Sequence, residues 1–565
     1  MNYLDLIVLF GTLLLIVGYG VYKTRNQSNI EGYLLGDKSL KWGTIGLSVM
    51  ATQASAVTFI STPGQGYESG MGFVQNYFGL PFALIIVSVV FIPIYYKLKV
   101  YTAYEYLESR FDLKTRLLGA FLFLIQRGLA AGITIYAPAI IISSILKWNL
   151  TATILVTGIL VIIYTVSGGT KAVSLTQKWQ MAVIMIGMFI AFGTIINYIG
   201  NFMTFGEAIN VAGNLDKLNA VDLDFNFEKR YTVWSGLAGG LFLSLSYFGT
   251  DQSQVQRYLG GISVTESRMG LMFNAILKIP MQFFILFTGV MVYVFYLLYQ
   301  PPVHFKEASV ERLLQSEYAG QYEQLDKEYA QLVDERKTVA LLLAKADESA
   351  EPELADKLNA IDQKSIAVRN DVKGLIAKVD PDLETKDSDY VFLTFILTYL
   401  PHGIIGLLIA VIFSAAMSST SSELNALAST TSVDFYKRVL HQKGSDMHYL
   451  NSSKVMTLGW GVLAILFAIM AKNSENLIEA VNIVGSIFYG TILGIFLVAF
   501  FLKFVKGTAI FFATIVAQVI VIVLHFMSLS GTITIGYLWY NAIGLGTTVV
   551  LSILLQLILP QKTKA

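Results

Sequence analysis

Long apolar segments alternate with short polar turns along almost the whole chain. About 13 of them approach or exceed the ~20 apolar residues that a helix needs to cross a bilayer. We predict membrane spans at 4–23, 44–69, 73–98, 117–146, 151–167, 176–199, 231–252, 270–298, 392–433, 454–472, 476–502, 507–527 and 535–559. Charged residues make up only 14% of the chain, against about 25% in soluble domains. The pattern therefore predicts an all-α, polytopic membrane protein.

Basic residues occur in every second loop between the predicted spans, and this sets the orientation. Asp5 precedes the first apolar segment, whereas Lys23 and Arg25 follow it. A cleavable signal has the opposite order, so we expect this helix to be retained. The alternation predicts an outside N-terminus and a cytoplasmic C-terminus in a multi-pass protein of the cell membrane.

One long polar stretch, 301–390, interrupts the apolar pattern. It contains 20 acidic and 12 basic residues. Leu and Val recur at spacings of three and four, which predicts a helical hairpin outside the membrane, punctuated near Pro352. Two interpretations are open: a solvated insert without a role in transport, or a segment that either binds an extracytoplasmic partner or acts as a gating lid.

Two predicted spans contain groups that disturb a membrane helix. The segment 44–69 carries Pro63-Gly64 and Gly66, and 231–252 is rich in glycine and polar residues. Backbone groups freed by such residues must face protein, water or a ligand. The two segments are the first and sixth helices of a ten-helix core. Interrupted helices at matching positions are typical of transporters with inverted repeats and a central site.

Six hydroxyl residues lie between Ser414 and Ser422, at the end of an apolar segment. On a helix, Ala415, Ser418, Ser419 and Ser422 share one face. Small hydroxyl residues let membrane helices pack closely. The same hydroxyls, together with unwound carbonyls from another helix, can also coordinate a small dehydrated cation. From the residues alone, both interpretations stay open.

The sequence argues against an enzyme. It has no cysteine, which excludes thiol catalysis and thiolate metal sites. Metalloprotease, phosphate-loop and nucleophile-elbow motifs are missing from usable positions. The formal net charge of +1 gives no indication of nucleic-acid binding.

Several motifs together resemble the sodium/solute symporter family, which includes sodium–glucose, iodide and monocarboxylate cotransporters. They are ATQASAVTFISTPGQGYESG (51–70), YTAYEYLESRF (101–111), YAPA (136–139), SGGTKAV (167–173), GTDQSQVQRYL (249–259) and SAAMSSTSSELNALASTTSVDFYKR (414–438). The resemblance implies a leucine-transporter-type core of 5+5 inverted repeats. The resemblance also divides the chain. Residues 1–43 contain one extra helix, 44–300 contain core helices one to seven, and 301–390 form the insert. Residues 391–503 contain core helices eight to ten, and 504–565 contain two further helices.

The resemblance also implies a sodium site between the first and eighth core helices. The matching positions are the backbone carbonyls of Ala51, Ala54 and Ala415 and the hydroxyls of Ser418 and Ser419. These are the serines that the helix face had already selected. Na+ is thus the expected coupling ion.

A second sodium site occurs in some members of the family. Its hydroxyls correspond to Ser421 and Ser422, but its aspartate corresponds to Gln177, which offers one oxygen and no charge. Lys178 follows directly. Three interpretations stay open: a second Na+ bound with Gln177, a Lys178 ammonium that replaces a cation or titrates during transport, or a Lys178 side chain that only extends to the cytoplasmic surface.

Polar residues within the spans mark the expected solute path. By resemblance, Thr58, Tyr77, Ser244 and Lys278 line the pocket and Tyr247 gates it. Asn76, Phe248 and Arg127 complete the predicted substrate set. Lys278 and Arg127 together favour an anion, unless Glu68 and Glu479 neutralise them.

We therefore predict a sodium-coupled symporter that imports a small solute, such as a sugar or a carboxylate, by alternating access. Proton-coupled or uncoupled transport through Lys178, and a transporter-like solute sensor, are the alternatives.

Overall fold

The computed structural model describes residues 2–24, 38–146, 148–380, 385–470 and 477–559. Within these ranges the chain forms helices, connecting loops and one isolated bridge between Leu40 and Gly261. The helices before the insert are α1 (Tyr3–Thr24), α2 (Trp42–Gln53), α3 (Ala56–Ser69), α4 (Leu80–Ile86), α5 (Ile92–Leu98), α6 (Glu105–Arg110), α7 (Leu113–Leu146), α8 (Leu150–Ile199), α9 (Phe205–Asn214), α10 (Gly240–Gly249), α11 (Gln252–Leu259) and α12 (Val264–Leu298).

The insert contributes three helices, and six more follow it. They are α13 (Glu307–Leu314), α14 (Ala319–Ala344), α15 (Glu351–Val379), α16 (Ser388–Tyr399), α17 (Ile404–Thr430), α18 (Asp446–Met470), α19 (Leu477–Phe501), α20 (Gly507–Leu529) and α21 (Trp539–Ile558). A 3₁₀ segment covers Gly70–Tyr77, and π-helical segments cover Val87–Phe91, Ser235–Gly239 and Thr431–Leu440.

Nine helices within the described ranges are long and apolar enough to cross a membrane. The prediction of an all-α polytopic membrane protein is confirmed, but the helices do not follow the 13 predicted spans one by one. The spans predicted at 151–167 and 176–199 form one 50-residue helix, α8. Gly168 and Gly169 weaken a helix but keep their backbone N–H groups, so they do not end it.

The first core helix is interrupted, but not where the sequence indicated. The break lies at Ala54 and Ser55, between α2 and α3, whereas Pro63 lies inside α3. The neighbouring glycines serve close packing instead. A Cβ at Gly64 would collide with the carbonyl oxygen of Ser388, and one at Gly66 with that of Leu286.

The sixth and eighth core helices are also divided. The sixth ends at Gly249 and restarts at Gln252, with Asp251 as the N-cap of α11. The single long span predicted at 392–433 is wrong, because α16 ends at Tyr399 and α17 begins at Ile404. Gly403, with a φ of 89°, makes the turn between them.

The insert has its own small apolar core. Helices α14 and α15 pack together through buried residues that include Tyr329, Val333 and Val372, and Arg336 bonds Asp362 between them at 2.9 Å. Pro352 lies in the first turn of α15, where its missing N–H costs nothing. The hairpin is tied to the bundle because the Arg336 guanidinium also donates to the Tyr296 carbonyl at 3.2 Å.

A buried cluster of charged and titratable side chains connects the two ends of the insert. Asp387 accepts from Arg369 at 2.7 Å and lies 3.4 Å from the ring of His304. Burial alone would raise the pKa of Asp387, but Arg369, His304 and Lys373 outweigh burial and lower it to about 2. Burial lowers the pKa of His304 to about 4, assisted by the positive charges around it and opposed by Asp387.

We expect acid to weaken this junction through His304. Because the ring binds a proton less readily when folded than when unfolded, stability falls as the pH drops from about 6.5 towards 4. Between pH 7.5 and pH 5 the loss is on the order of 2 kcal/mol. Thermal unfolding at both pH values should show a smaller drop for His304→Gln than for the natural protein. Equal drops in the two proteins would assign the pH effect to other groups.

Candidate functional site

The break in the first core helix supplies free backbone carbonyls at the centre of the bundle. Ala54 leaves the helix with a ψ of 68°, and Ser55 is extended with a ψ of 176°. The last four carbonyls of a helix have no intrahelical donors, and Ala51 belongs to this set in α2. Both alanines are buried, so their carbonyls need a partner inside the protein.

The serine-rich segment of α17 packs against this break. The Ser419 hydroxyl donates to the Thr52 carbonyl at 3.2 Å. The Ser418 hydroxyl is buried and has no hydrogen-bond partner in the described part of the chain. Ala415, one turn earlier, is also buried. The structure thus places the predicted serines of α17 against the C-terminal end of α2, with the Ser418 hydroxyl unused.

Gln177, the residue predicted for a second sodium site, lies in a closed hydrogen-bond network. Its Oε1 accepts from Ser48 at 2.5 Å, and its Nε2 donates to Thr52 Oγ1 at 3.1 Å and to Ser422 Oγ at 3.4 Å. Ser421 is buried nearby in sequence, and its hydroxyl has no partner within the described residues. The side chain of Lys178 lies outside the described residues.

Among the predicted substrate residues, Lys278 lies close to Tyr77. Its Nζ lies 5.8 Å from the centre of the Tyr77 ring. Asn76 precedes this tyrosine and has a buried Oδ1 without a partner in the described chain. Thr58 lies in the first turn of α3 and bonds the Gln53 carbonyl across the break at 3.3 Å.

One group of these residues gathers around Tyr247, on the sixth core helix. Its ring lies 5.0 Å from that of Phe248, and its hydroxyl accepts from Gln254 at 2.6 Å. The Arg127 guanidinium lies over the same ring at 5.3 Å. Ser244 is buried one turn earlier.

Arg127 is neutralised, but not by the carboxylates that the sequence suggested. It forms ion pairs with Asp251 and with Glu423, the latter at 3.1 Å, whereas Glu479 pairs with Arg230 at 2.9 Å. Glu423 is buried as well, with 5% of its surface exposed. The pairing of Arg127 with Lys278 as joint anion ligands has no support in this arrangement.

Sequence reasoning missed three members of this ion cluster: Asp251, Glu423 and Tyr489. Tyr489 donates to Asp251 at 2.9 Å and accepts from Arg127 at 2.6 Å. Asp251 stands in the quoted motif GTDQSQVQRYL, and a carboxylate within a membrane segment is itself a signal of function. Tyr489 carries no comparable signal, because aromatic residues are common in apolar helices.

Comparison with known proteins identifies the class. The sequence model of the sodium:solute symporter family matches residues 33–308 and 376–517, on either side of the insert. The chain belongs to this family. It is therefore a membrane transporter with Na+ as its coupling ion, and not an enzyme.

Individual relatives agree with this assignment. The chain is 34% identical to sodium-coupled monocarboxylate transporter 1 of Xenopus laevis, over 48% of this chain and 43% of that protein. It is 25% identical to sodium-coupled monocarboxylate transporter 2 of Mus musculus, over 89% of this chain and 69% of that one. A solved Na+-coupled sialic acid symporter superimposes over the full length of both chains with a TM-score of 0.75 and 23% identity. The predicted leucine-transporter-type fold is thereby confirmed.

Proposed function

We propose that this protein imports a small organic or anionic solute across the cell membrane together with Na+, by alternating access. The ion is held between α2 and α17 by the carbonyls of Ala51, Ala54 and Ala415 and the hydroxyls of Ser418 and Ser419. The N-terminus faces outside, the C-terminus faces the cytoplasm, and the insert lies on the extracytoplasmic side.

The observation that carries this proposal is the junction of a broken helix with a buried serine face. Leaving a buried hydroxyl without a partner costs about 1–3 kcal/mol, and Ser418 carries such a hydroxyl. Unwound carbonyls and half-helix ends coordinate Na+ in transporters of inverted-repeat design. A bound Na+ would use these oxygens and offset that cost.

The solute path is proposed to run past Thr58, Asn76, Tyr77, Ser244, Tyr247, Phe248 and Lys278. Two of the relatives described above are named for monocarboxylates, which favours an anionic solute. We assign Arg127 to the ion cluster rather than to the solute, because Asp251 and Glu423 of the protein itself already pair with its charge.

Transport can be tested with the purified full chain in proteoliposomes. Labelled lactate, glucose and proline would be offered with an inward gradient of sodium or of choline. We expect one of them to accumulate above its outside concentration in sodium only. Equilibration without accumulation would support uncoupled transport, accumulation in choline would support proton coupling, and binding without uptake would support a sensor.

We further propose that the chain couples one Na+ rather than two. The Ser422 hydroxyl donates to the Ser418 carbonyl at 2.9 Å, and Thr52 donates to the Ser48 carbonyl at 2.8 Å. Each hydroxyl has given its only proton, so both accept from Gln177, whose NH2 group must face them. The NH2 group of Gln177 therefore occupies the position where a second Na+ would need an oxygen ligand.

Gln177→Asp should therefore create a second sodium site. The carboxylate restores negative charge beside Ser421 and Ser422, so the Hill coefficient for sodium in uptake should rise from about one to about two. Gln177→Asn is the matched control, because its side chain has the same length as that of aspartate but carries no charge. This variant should keep a Hill coefficient of about one. A coefficient near two in the natural protein would contradict the single-sodium proposal.

A further inference from the structure

A cavity of about 820 Å³ lies between the insert and the helical bundle. One wall is formed by the loop before α13 and by α13 itself, and the opposite wall by the end of α7, the start of α8 and α16. Sites for small molecules usually have volumes of about 300–1,000 Å³, so this cavity has room for such a ligand. None of the residues proposed for the solute path or for the sodium site lines it. The cavity is therefore separate from the proposed transport path.

The cavity depends on residues that the sequence model of the family does not match. That model stops at residue 308 and resumes at 376. Ser309, Arg312 and Tyr322 line the cavity and lie between these limits. The site is therefore a feature of the insert of this chain, and not of the transporter core that the family shares.

Two buried side chains in the cavity wall have unused hydrogen-bonding atoms. Ser309 is fully buried, and its hydroxyl has no partner among the described residues. His304 is 2% exposed, and neither of its ring nitrogens forms a hydrogen bond within the described chain. Burial lowers the pKa of this ring to about 4, so the ring is neutral near pH 7. Because Nδ1 lies 3.4 Å from Asp387 Oδ2, we place the ring proton on Nδ1, which leaves Nε2 as an acceptor.

The charges in the cavity wall nearly cancel. Two basic and three acidic side chains line the cavity, namely Lys306, Arg312, Glu307, Glu311 and Asp380. A carboxylate ligand would meet the acidic groups and could not use an acceptor nitrogen, whereas an ammonium ligand would meet the basic groups. A neutral molecule with hydroxyl groups can donate to the His304 ring and exchange hydrogen bonds with Ser309. The wall therefore favours a neutral, hydroxyl-bearing ligand.

Aromatic rings complete the wall of the cavity. Trp148 lies in the turn between α7 and α8 and is 50% exposed. Tyr136 and Tyr390 are buried behind the cavity surface. Tryptophan and tyrosine combine a flat apolar body with one polar atom, which suits a sugar ring, because such a ring has apolar C–H faces and a rim of hydroxyls.

We propose that the cavity between the insert and the bundle binds a neutral, hydroxyl-rich molecule such as a mono- or disaccharide. Trp148 stacks on an apolar face of this ligand, while His304 and Ser309 bond its hydroxyls. Because the cavity is separate from the ion site, binding does not require Na+. The inference gives the insert a function beyond the proposed transport and does not depend on it.

Tryptophan fluorescence and thermal unfolding of the purified full chain test the proposal. Glucose, maltose, lactate and choline would each be titrated in sodium chloride and in potassium chloride. We expect glucose or maltose to change the fluorescence in a saturable way and to raise the unfolding temperature, equally in both salts. Lactate and choline should give no response that depends on Trp148.

Three variants locate the ligand. In Trp148→Ala the saccharide concentration for half of the thermal effect should rise about tenfold, because ring stacking is lost. In Ser309→Ala it should rise about fivefold, because one neutral hydrogen bond is lost. Trp234→Ala is the matched control, since Trp234 is 45% exposed and lies outside the cavity, and it should keep the full response. An unchanged unfolding temperature without saccharide would show that each variant is folded.

Other outcomes overturn the proposal in distinct ways. A saccharide response that requires sodium, or that survives both Trp148→Ala and Ser309→Ala, would place the saccharide in the transport path. A response to lactate or choline that Trp148→Ala removes would assign the cavity to a charged ligand. No response to either saccharide would reject the ligand class, whether or not sodium stabilises the protein. A missing sodium response alone would count against the proposed transport function and not against this cavity.

Discussion

Replacing Ser418 and Ser419 together by alanine should abolish the stabilisation of this protein by sodium. A ligand that binds only the folded state stabilises it by RT ln(1 + [L]/Kd), or about 2.7 kcal/mol at a hundredfold excess over Kd. The two hydroxyls are the only side-chain ligands proposed for the ion, so their loss leaves only carbonyl oxygens. The natural protein should unfold at a higher temperature in sodium chloride than in choline chloride. The double variant should unfold at the same temperature in both.

A neighbouring serine provides a matched control. Ser429 lies on the same helix, is equally buried, and donates its hydroxyl to the Asn425 carbonyl at 2.7 Å. Ser429→Ala should therefore keep the full sodium response, and sodium-driven uptake should follow the same order among the three proteins. A sodium response that persists in the double variant would place the ion elsewhere.

Much of the architecture could be predicted because a bilayer imposes strong rules on sequence. A segment such as 507–527 has to be apolar over its whole length, and it appears as α20, Gly507–Leu529. The positions at which helices are interrupted were harder to predict. Pro63 and Gly64 indicated a break, yet the helix is interrupted at Ala54 and Ser55, two small residues without such a signal. Which backbone groups go unpaired depends on the packing of α2 and α3 against α12 and α17.

The candidate site was predictable where one helix face carries it and unpredictable where distant segments meet. Ser418 and Ser419 follow from a spacing rule within a single helix. Arg127 and Asp251 are 124 residues apart, and no local pattern indicates that they pair.

The Arg127 ion cluster gives the largest expected loss of stability. Arg127 is the only cation bonded to Asp251 and Glu423 within the described residues, and all three side chains are at most 6% exposed. Removing one partner of a buried ion pair costs about 3–5 kcal/mol, because the other charge stays buried without compensation. Arg127→Met should therefore lower the free energy of unfolding by about that amount. It should also lower the thermal midpoint in both sodium and choline.

Two further variants separate lost charge pairing from lost packing. If unpaired carboxylates cause the damage, then adding Asp251→Asn and Glu423→Gln to Arg127→Met should restore most of the stability, since neutral partners need no counter-ion. Arg312→Met is the matched control at the surface. Its ion pair with Asp380 is exposed on both sides, with 55% and 37% of the two side chains accessible, and such pairs contribute only about 0–1 kcal/mol. A triple variant as unstable as Arg127→Met alone would mean that the methylene packing of this arginine, and not its charge, holds the sixth, eighth and third core helices together.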